Sequence, residues 1–523
     1  MGSLQMAAMQ PQPVVLSLLT VGVLSLLSFA VYRLTFHPLA KYPGPVLAKL
    51  TSFYKVYHAY IGDMHLDMER CHQQYGPFVR YGPDDLIVNT VEGFHDIYGP
   101  GKMTKKGPSY ATHGGRGNLI GVQDKKYFAR LKRIFSQGFS DSALRDHEPK
   151  VQKQINIFCD RMEDEQALED GSSGWTLAKN MSKWCNYLTT DAVNMVVFST
   201  SWDLLTSPEN RGVSECLATA VRIVGISHQT RWLYKFKLGP VLFPHLIGSL
   251  LGLKRHTLGI LAASNKARQE NPDIKDVFAQ FINAEDPATG AVLGPDTVRL
   301  NSATLIIAGS DTTSSSLAAI FFYLARDPEA YAKVVNEVRS TFPTAASIRA
   351  GAELNSCVYL RGAINEALRM SPVVVQPLWR EVESPGATIG GEFIPAGMVV
   401  GSGIYSLHHD PVVFPDPYRF DIDRWVEGTP EEMKIRQHHF APFSVGPRQC
   451  LAKNFAMMEM LLTMANVVTR MDFKLPEGDA AKVGAGGKDQ GWAREREGEF
   501  QMKSWFTSHV NGPLITFKKR QLA

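Results

Sequence analysis

The densest chemistry in the chain lies in Pro442-Phe443-Ser444-Val445-Gly446-Pro447-Arg448-Gln449-Cys450, which runs through Leu451-Ala452 into an apolar, helix-forming stretch, Asn454 to Met464. A cysteine at a helix start faces free backbone N–H groups and the positive end of the helix dipole, and both favour thiolate over thiol. Gly446 allows a tight turn where a side chain would block a flat ligand. Arg448 offers a planar fork for a carboxylate two residues before the sulfur. Phe443 can lie against an aromatic macrocycle. The set suits a thiolate ligand of haem iron, which pushes electron density toward the metal and favours O–O cleavage. A structural cysteine in an ordinary loop would not require these residue types at fixed spacing.

Two further groups have the right composition to assist. Ala308-Gly309-Ser310-Asp311-Thr312-Thr313 follows the apolar Leu305-Ile306-Ile307. Gly and paired Thr are poor helix formers, so the pattern predicts a local opening in a long helix; the other reading is a helix N-cap at Ser310 or Asp311. Glu366 and Arg369 stand at i and i+3 and share one helix face. Alone, such a pair reads as a surface ion pair worth little.

The spacing Phe443, Gly446, Arg448, Cys450, Ala452 resembles the haem-binding signature of the cytochrome P450 family, with Ala452 where many members carry glycine. Glu366-Ala-Leu-Arg369 resembles that family's ExxR motif, and Pro417-Tyr418-Arg419-Phe420 follows where the third member of a buried Glu-Arg-Arg cluster is expected. The resemblance implies that Glu366, Arg369 and Arg419 support the haem pocket structurally. It makes Cys450 the iron ligand, Asp311 and Thr312 the proton relay, and Arg380 and Arg448 the partners of the haem propionates. The opening around Gly309 would leave space for O2 above the iron. On the preceding helix the family's Trp or His and its following Arg fall on Phe128 and Lys132, so Lys132 is the expected third cation, with Arg130 or Arg133 as alternatives if the register differs by one. Phe443 and Gly446 complete the expected haem contacts. The text around Asp421-Ile422-Asp423-Arg424-Trp425 resembles fungal members of the benzoate 4-monooxygenase-like and isotrichodermin hydroxylase-like kind.

The elements that must position these groups follow from the chain as a whole. Its 523 residues are 44% hydrophobic and 20% charged. That is enough for a large core and too apolar for disorder. The net charge of +4 excludes a broadly basic nucleic-acid coat. The six cysteines show no zinc-knuckle or CxxC spacing, which points to reduced thiols. Helical periodicity dominates to about Leu354, Pro372 to Val400 reads as a small sheet, and Pro100 to Val122 reads as a long loop. Lys482 to Glu499 reads as an exposed loop, and Asn511-Gly512 signals a hairpin within Trp505 to Lys518. The expected fold class is therefore mainly α (α+β), a large helical domain with a small β-rich region, which the resemblance makes the cytochrome P450 fold.

No charged side chain precedes Arg33, and residues 14–32 are apolar apart from Ser17, Thr20, Ser25 and Ser28. At helical rise this stretch is long enough to cross a hydrocarbon layer of roughly 30 Å. Arg33, His37, Lys41 and Lys49 follow it, so the positive-inside rule keeps the bulk of the chain cytosolic. The expected organisation is a lumenal N-terminus over residues 1–13, a single-pass anchor at 14–32, a Pro-rich linker at 33–50 and a catalytic domain at 51–523. The resemblance implies a monooxygenase of the endoplasmic reticulum membrane that takes NADPH-derived electrons from a cytochrome P450 reductase. It would use O2 to hydroxylate, epoxidise or oxidise a lipophilic small molecule, a terpenoid, polyketide or alkaloid of fungal secondary metabolism. An aromatic-acid hydroxylase of benzoate type and a haem-thiolate rearrangement enzyme are the alternatives; the second has no use for Asp311 and Thr312. The basic face of Lys125, Lys126, Arg130 and Arg133 with Lys453 is the expected reductase dock, and His113 and Arg116 are possible polar anchors for substrate.

Overall fold

The computed structural model describes residues 11–112, 117–164, 174–229, 236, 243–282, 285, 290 and 292–521. His113 and Arg116 lie outside the described residues. The helices that matter for the site are α1 (Pro11–Val31), α2 (Lys125–Ser136), α3 (Asp141–Glu163), α4 (Met181–Phe198), α5 (Gly212–Ser227), α6 (Pro295–Leu324), α7 (Val358–Met370) and α8 (Lys453–Arg470). The strands are β1 (Phe78–Arg80), β2 (Asp85–Val88), β3 (Thr104–Lys106), β4 (Lys179–Asn180), β5 (Arg380–Val382), β6 (Gly386–Ile389), β7 (Glu392–Pro395), β8 (Val399–Gly401), β9 (Met471–Lys474), β10 (Met502–Ser504), β11 (Ser508–Val510) and β12 (Leu514–Lys519).

The N-terminal helix stands apart from the rest. Val15–Phe36 forms a continuous 22-residue apolar span, none of it buried, ending in a π-helical turn from Tyr32. It is long and apolar enough to cross a membrane. Arg33 at its end pairs with Asp84 at 2.6 Å, which joins this span to the turn before β2.

The core forms around α6. Its C-terminal half is buried on all sides, as an apolar run from Leu317 to Leu324 demands. At Gly309 a Cβ would sit 2.6 Å from Val193 Cγ2 of α4, so this glycine is required by the close approach of the two helices. The expected opening in α6 is absent, and so is the N-cap: the helix runs unbroken from Pro295 to Leu324. Thr312 is accommodated by donating its hydroxyl to the Ala308 carbonyl at 2.7 Å. This is the usual way a mid-helix Thr satisfies itself.

The sheets depart from expectation at two places. The five-stranded sheet has the order β1-β2-β8-β5-β3, so part of the expected Pro100–Val122 loop is a strand. Thr104–Lys106 adds to the open edge of β5, with Lys106 opposite Arg380. The C-terminal hairpin is β10–β11, turning at Trp505–Thr507 rather than at Asn511-Gly512. Pro513 follows that dipeptide and has no N–H for a ladder, and β12 pairs with β4 and β9 instead. The expected exposed loop at Lys482–Glu499 is tied down at its end, where Glu499 is buried and accepts the Tyr405 hydroxyl.

Candidate active site

A cavity of about 280 Å³ lies between α6, the start of α8, the sheet and the β10–β11 turn. It gathers Cys450, Phe443 and Arg448 from the cysteine loop, Leu305, Ala308, Gly309 and Thr312 from α6, Arg380 and Lys106 from the sheet, and Phe506 from the turn. Segments from the first and last quarters of the chain thus meet at one place.

The cysteine loop is built by its backbone. The Cys450 N–H donates to the Phe443 carbonyl at 2.9 Å, and Gly446 takes a φ of 73°. A Cβ on Gly446 would meet the Tyr98 carbonyl at 2.2 Å, so this glycine makes room for a neighbouring chain segment. The Cys450 residue is exposed where it opens onto the cavity. Burial pushes its thiol up, and the Ala452 backbone and Lys453 draw it back by less. The expected thiolate preference from a helix start is therefore outweighed. The first residue of α8 is Lys453, which leaves the sulfur outside the helix turn where the dipole acts. A coordinated metal ion would supply the missing positive charge.

Three cations crowd one wall. Arg380 sits 4% exposed, stacked over Tyr98 and donating to the Leu378 carbonyl at 3.0 Å. Lys106 is buried over the Tyr110 ring and donates to the Ile120 carbonyl. Arg448 lies over the Phe128 ring at 3.4 Å, and its Nη1 is buried without a partner. Burial and the neighbouring Arg380 push Arg448 down to about 9, and burial with Arg380 and Arg448 pushes Lys106 well below its usual range. No carboxylate of the described residues pairs with any of the three. Cations gathered at this cost need an anionic partner. A macrocycle that carries carboxylates at one edge and a metal ion for Cys450 fits both needs.

Lys132, the expected third cation, does something else. Its Nζ donates to the Pro447 carbonyl at 2.9 Å and so ties α2 to the cysteine loop. Phe128 cannot donate a hydrogen bond, but its ring supports Arg448.

Asp311 is buried on the side of α6 that faces the β10–β11 turn, where its carboxylate accepts the Thr507 hydroxyl. Burial pushes it up to about 6, and Thr507 draws it back. Glu459 of α8 is 1% exposed; burial pushes it up to about 8, and the Thr313 hydroxyl opposes this.

The ion cluster behind the cysteine loop differs from expectation in one member. Glu366 and Arg369 are fully buried and doubly bonded, at 2.8 Å each. The second arginine is Arg424, whose Nε is 3.3 Å from Glu366, while Trp425 Nε1 donates to the same carboxylate at 2.9 Å. Arg419 is exposed and contributes only its carbonyl, 3.4 Å from Arg369. The turn at Asp416 points Arg419 outward, and the 3-10 turn Ile422–Trp425, capped by Asp421, brings Arg424 and Trp425 inward. Arg424-Trp425 was the available signal, two long donors side by side.

Two other cavity residues, Lys106 and Phe506, were missed, because each reaches the cavity through a strand register or turn that periodicity does not specify. Tyr110, Ile120, Leu305, Val373 and Leu378 also line the cavity.

The chain matches the family model described as Cytochrome P450 over residues 42–486. It is 38% identical over 500 residues to Cytochrome P450 monooxygenase poxM of Penicillium oxalicum, covering 95% of this chain and 93% of that one. Cytochrome P450 monooxygenase atnE of Emericella nidulans is 38% identical over 509 residues, 96% of each chain. Cytochrome P450 monooxygenase apf7 of Gibberella fujikuroi is 38% identical over 512 residues, 94% of this chain and 96% of its own.

Proposed function

The chain belongs to the cytochrome P450 family and is a haem-thiolate monooxygenase, and on that footing we propose that Cys450 ligates the iron and that the substrate is a lipophilic small molecule of fungal secondary metabolism. The carrying observation is the cavity that joins Cys450, three acid-free cations and a mostly apolar lining. When bound, the haem supplies activation of O2 and insertion of one oxygen atom into substrate. The chain supplies position, charge and protons. Arg380, Arg448 and Lys106 would hold the propionates, and Phe443 would border the ring beside the sulfur. Lys132 and Phe128 keep the loop and Arg448 in place.

Thr312 faces the cavity and can hold or pass a proton at its hydroxyl; Asp311 beside it is the acid that recharges it. Leu305, Val373, Leu378 and Phe506 offer apolar contact for substrate. Enzymes of this family draw electrons from a redox partner. Lys126, Arg133 and Lys453 are exposed and form the docking face we assign to an NADPH-dependent reductase, while Lys125 is already paired with Glu383. The apolar span Val15–Phe36 would hold the enzyme at the endoplasmic reticulum membrane.

The test is a carbon monoxide difference spectrum of the reduced protein, with Cys450→Ala alongside. A band near 450 nm in the wild type that is lost in the variant is the expected result. Its survival in Cys450→Ala overturns the ligand assignment. Metabolite profiling of a deletion strain then identifies the substrate; a small aromatic acid accumulating there would overturn the lipophilic reading.

A further inference from the structure

We propose that Thr507 is a positioning residue that holds the Asp311 carboxylate on the β10–β11 turn and thereby ties proton supply to the segment that carries Phe506 into the cavity. The inference rests on the reading of Asp311 as the relay acid. Thr507 and Asp311 are 5% and 8% exposed, and the hydroxyl donates directly to Oδ2. Among the described residues no ion pair involves Asp311, so this donor is the polar contact that opposes burial of its charge. The turn itself is clamped from three sides. A Cβ on Gly225 of α5 would lie 2.5 Å from the Phe506 nitrogen. The Ser508 N–H donates to the Val373 carbonyl at 2.7 Å, and its hydroxyl to the Pro372 carbonyl at 2.8 Å. Ser315 of α6 donates to the Ser508 carbonyl at 2.9 Å. Of these contacts, the one from Thr507 ends on an ionisable group.

The charged and titratable groups on the packed elements are turned elsewhere. Arg222 of α5 lies over the Trp505 ring at 5.3 Å, His509 of β11 stacks on that ring at 4.3 Å, and His228 meets Phe506 edge-on at 5.6 Å. Meanwhile Thr312 donates along α6 to Ala308. The two relay groups are thus turned apart, the carboxylate toward the turn and the hydroxyl along the helix. Asp311 must leave Thr507 to serve Thr312, so the strength of the Thr507 contact sets how readily a proton is supplied.

The test uses the full-length ferric holoenzyme and infrared difference spectroscopy across pH. The wild type should show a protonated-carboxyl band with a midpoint near pH 6 that is missing in Asp311→Asn. Thr507→Val keeps the shape and deletes the donor, and the midpoint should rise by about one to two pH units, the size of one hydrogen bond to a charged group. Thr507→Ser keeps the donor and should return it to the wild-type value. The pH at which NADPH oxidation breaks, with reductase added and no substrate, should shift with it. A midpoint in Thr507→Val that matches the wild type, while Asp311→Asn lacks the band, overturns the role of Thr507. A pH break that persists in Asp311→Asn overturns the relay reading instead. The 450 nm carbon monoxide band, measured on every variant, separates both from loss of the haem site.

Discussion

Arg424→Ala and Arg419→Ala distinguish a buried ion cluster from its expected but exposed counterpart. In the structure Glu366 receives two bonds from Arg369, one from Trp425, one from the Asp421 N–H at 3.2 Å and the Arg424 contact at 3.3 Å. Arg424 also donates to the Asp416 carbonyl at 3.1 Å. Removing one member of a buried ion set costs about 3–5 kcal/mol when the partner is left bare. Glu366 retains Arg369, so Arg424→Ala should cost about 2–3 kcal/mol, below the range for a partner left bare. Arg419 lends only a backbone carbonyl, which alanine keeps. Its loss should therefore stay within about 0.5 kcal/mol. An unfolding entropy of about 2.1 cal/mol/K per residue, over 523 residues, converts each kcal/mol into about 1 °C of Tm. Thermal unfolding of the carbon monoxide complex should therefore drop by about 2–3 °C for Arg424→Ala and by less than about 0.5 °C for Arg419→Ala. Glu366→Ala would strand both buried arginines and should lose the 450 nm band outright. An Arg419→Ala shift equal to or larger than that of Arg424→Ala would refute this assignment of the cluster.

Lys106→Met should raise the rate at which apomyoglobin strips haem by roughly tenfold, about the worth of one charge-assisted contact, while raising the stability of the haem-free protein by relieving the crowding with Arg380 and Arg448. Thr312→Ala should keep the 450 nm band but release more of the NADPH electrons as hydrogen peroxide, because the cavity-facing hydroxyl is gone; unchanged peroxide per NADPH would rule out its proton role. Glu459 has a folded-state value of about 8 against an ordinary 4.5, so the folded protein binds an extra proton between those pH values and loses stability as pH rises through them. Glu459→Gln should therefore stay within about 1 kcal/mol of the wild type at pH 5 and exceed it by about 4–5 kcal/mol at pH 8.5 in denaturant titration, and an equal difference at both pH values would show the carboxyl is not strained. Charge reversal at Lys126 and Arg133 should slow the first electron transfer at low ionic strength and converge with the wild type as salt screens the ~8 Å range of exposed charges; stopped-flow reduction with unchanged haem content checks it.

What the chain alone made legible is chemistry held within short segments. Phe443, Gly446, Arg448 and Cys450 lie within eight residues, so their relation survives any folding of the rest. Glu366 and Arg369 are three apart on a helix, and local geometry pairs them. The apolar run before Arg33 needs no partner to be read as a membrane span. Beyond such segments, the sequence offered composition without direction. The glycines show this well: a Cβ on Gly309 would meet Val193 and one on Gly446 would meet the Tyr98 carbonyl, neighbours that no local pattern names.

Tertiary structure decided every relation that joins distant segments. Lys106 becomes a third buried cation only because β3 adds to the edge of β5 and sets it opposite Arg380, a register that no local pattern specifies. Arg424 displaces Arg419 because a turn at Asp416 and a 3-10 turn after Asp421 reverse which side chain points inward. Asp311 meets Thr507 across 196 positions, and its affinity for a proton follows from burial and that one donor. The same holds at Cys450, which the sequence places near a helix start, while the fold begins that helix at Lys453 and desolvation pushes the thiol up by more than the Ala452 backbone and Lys453 draw it back.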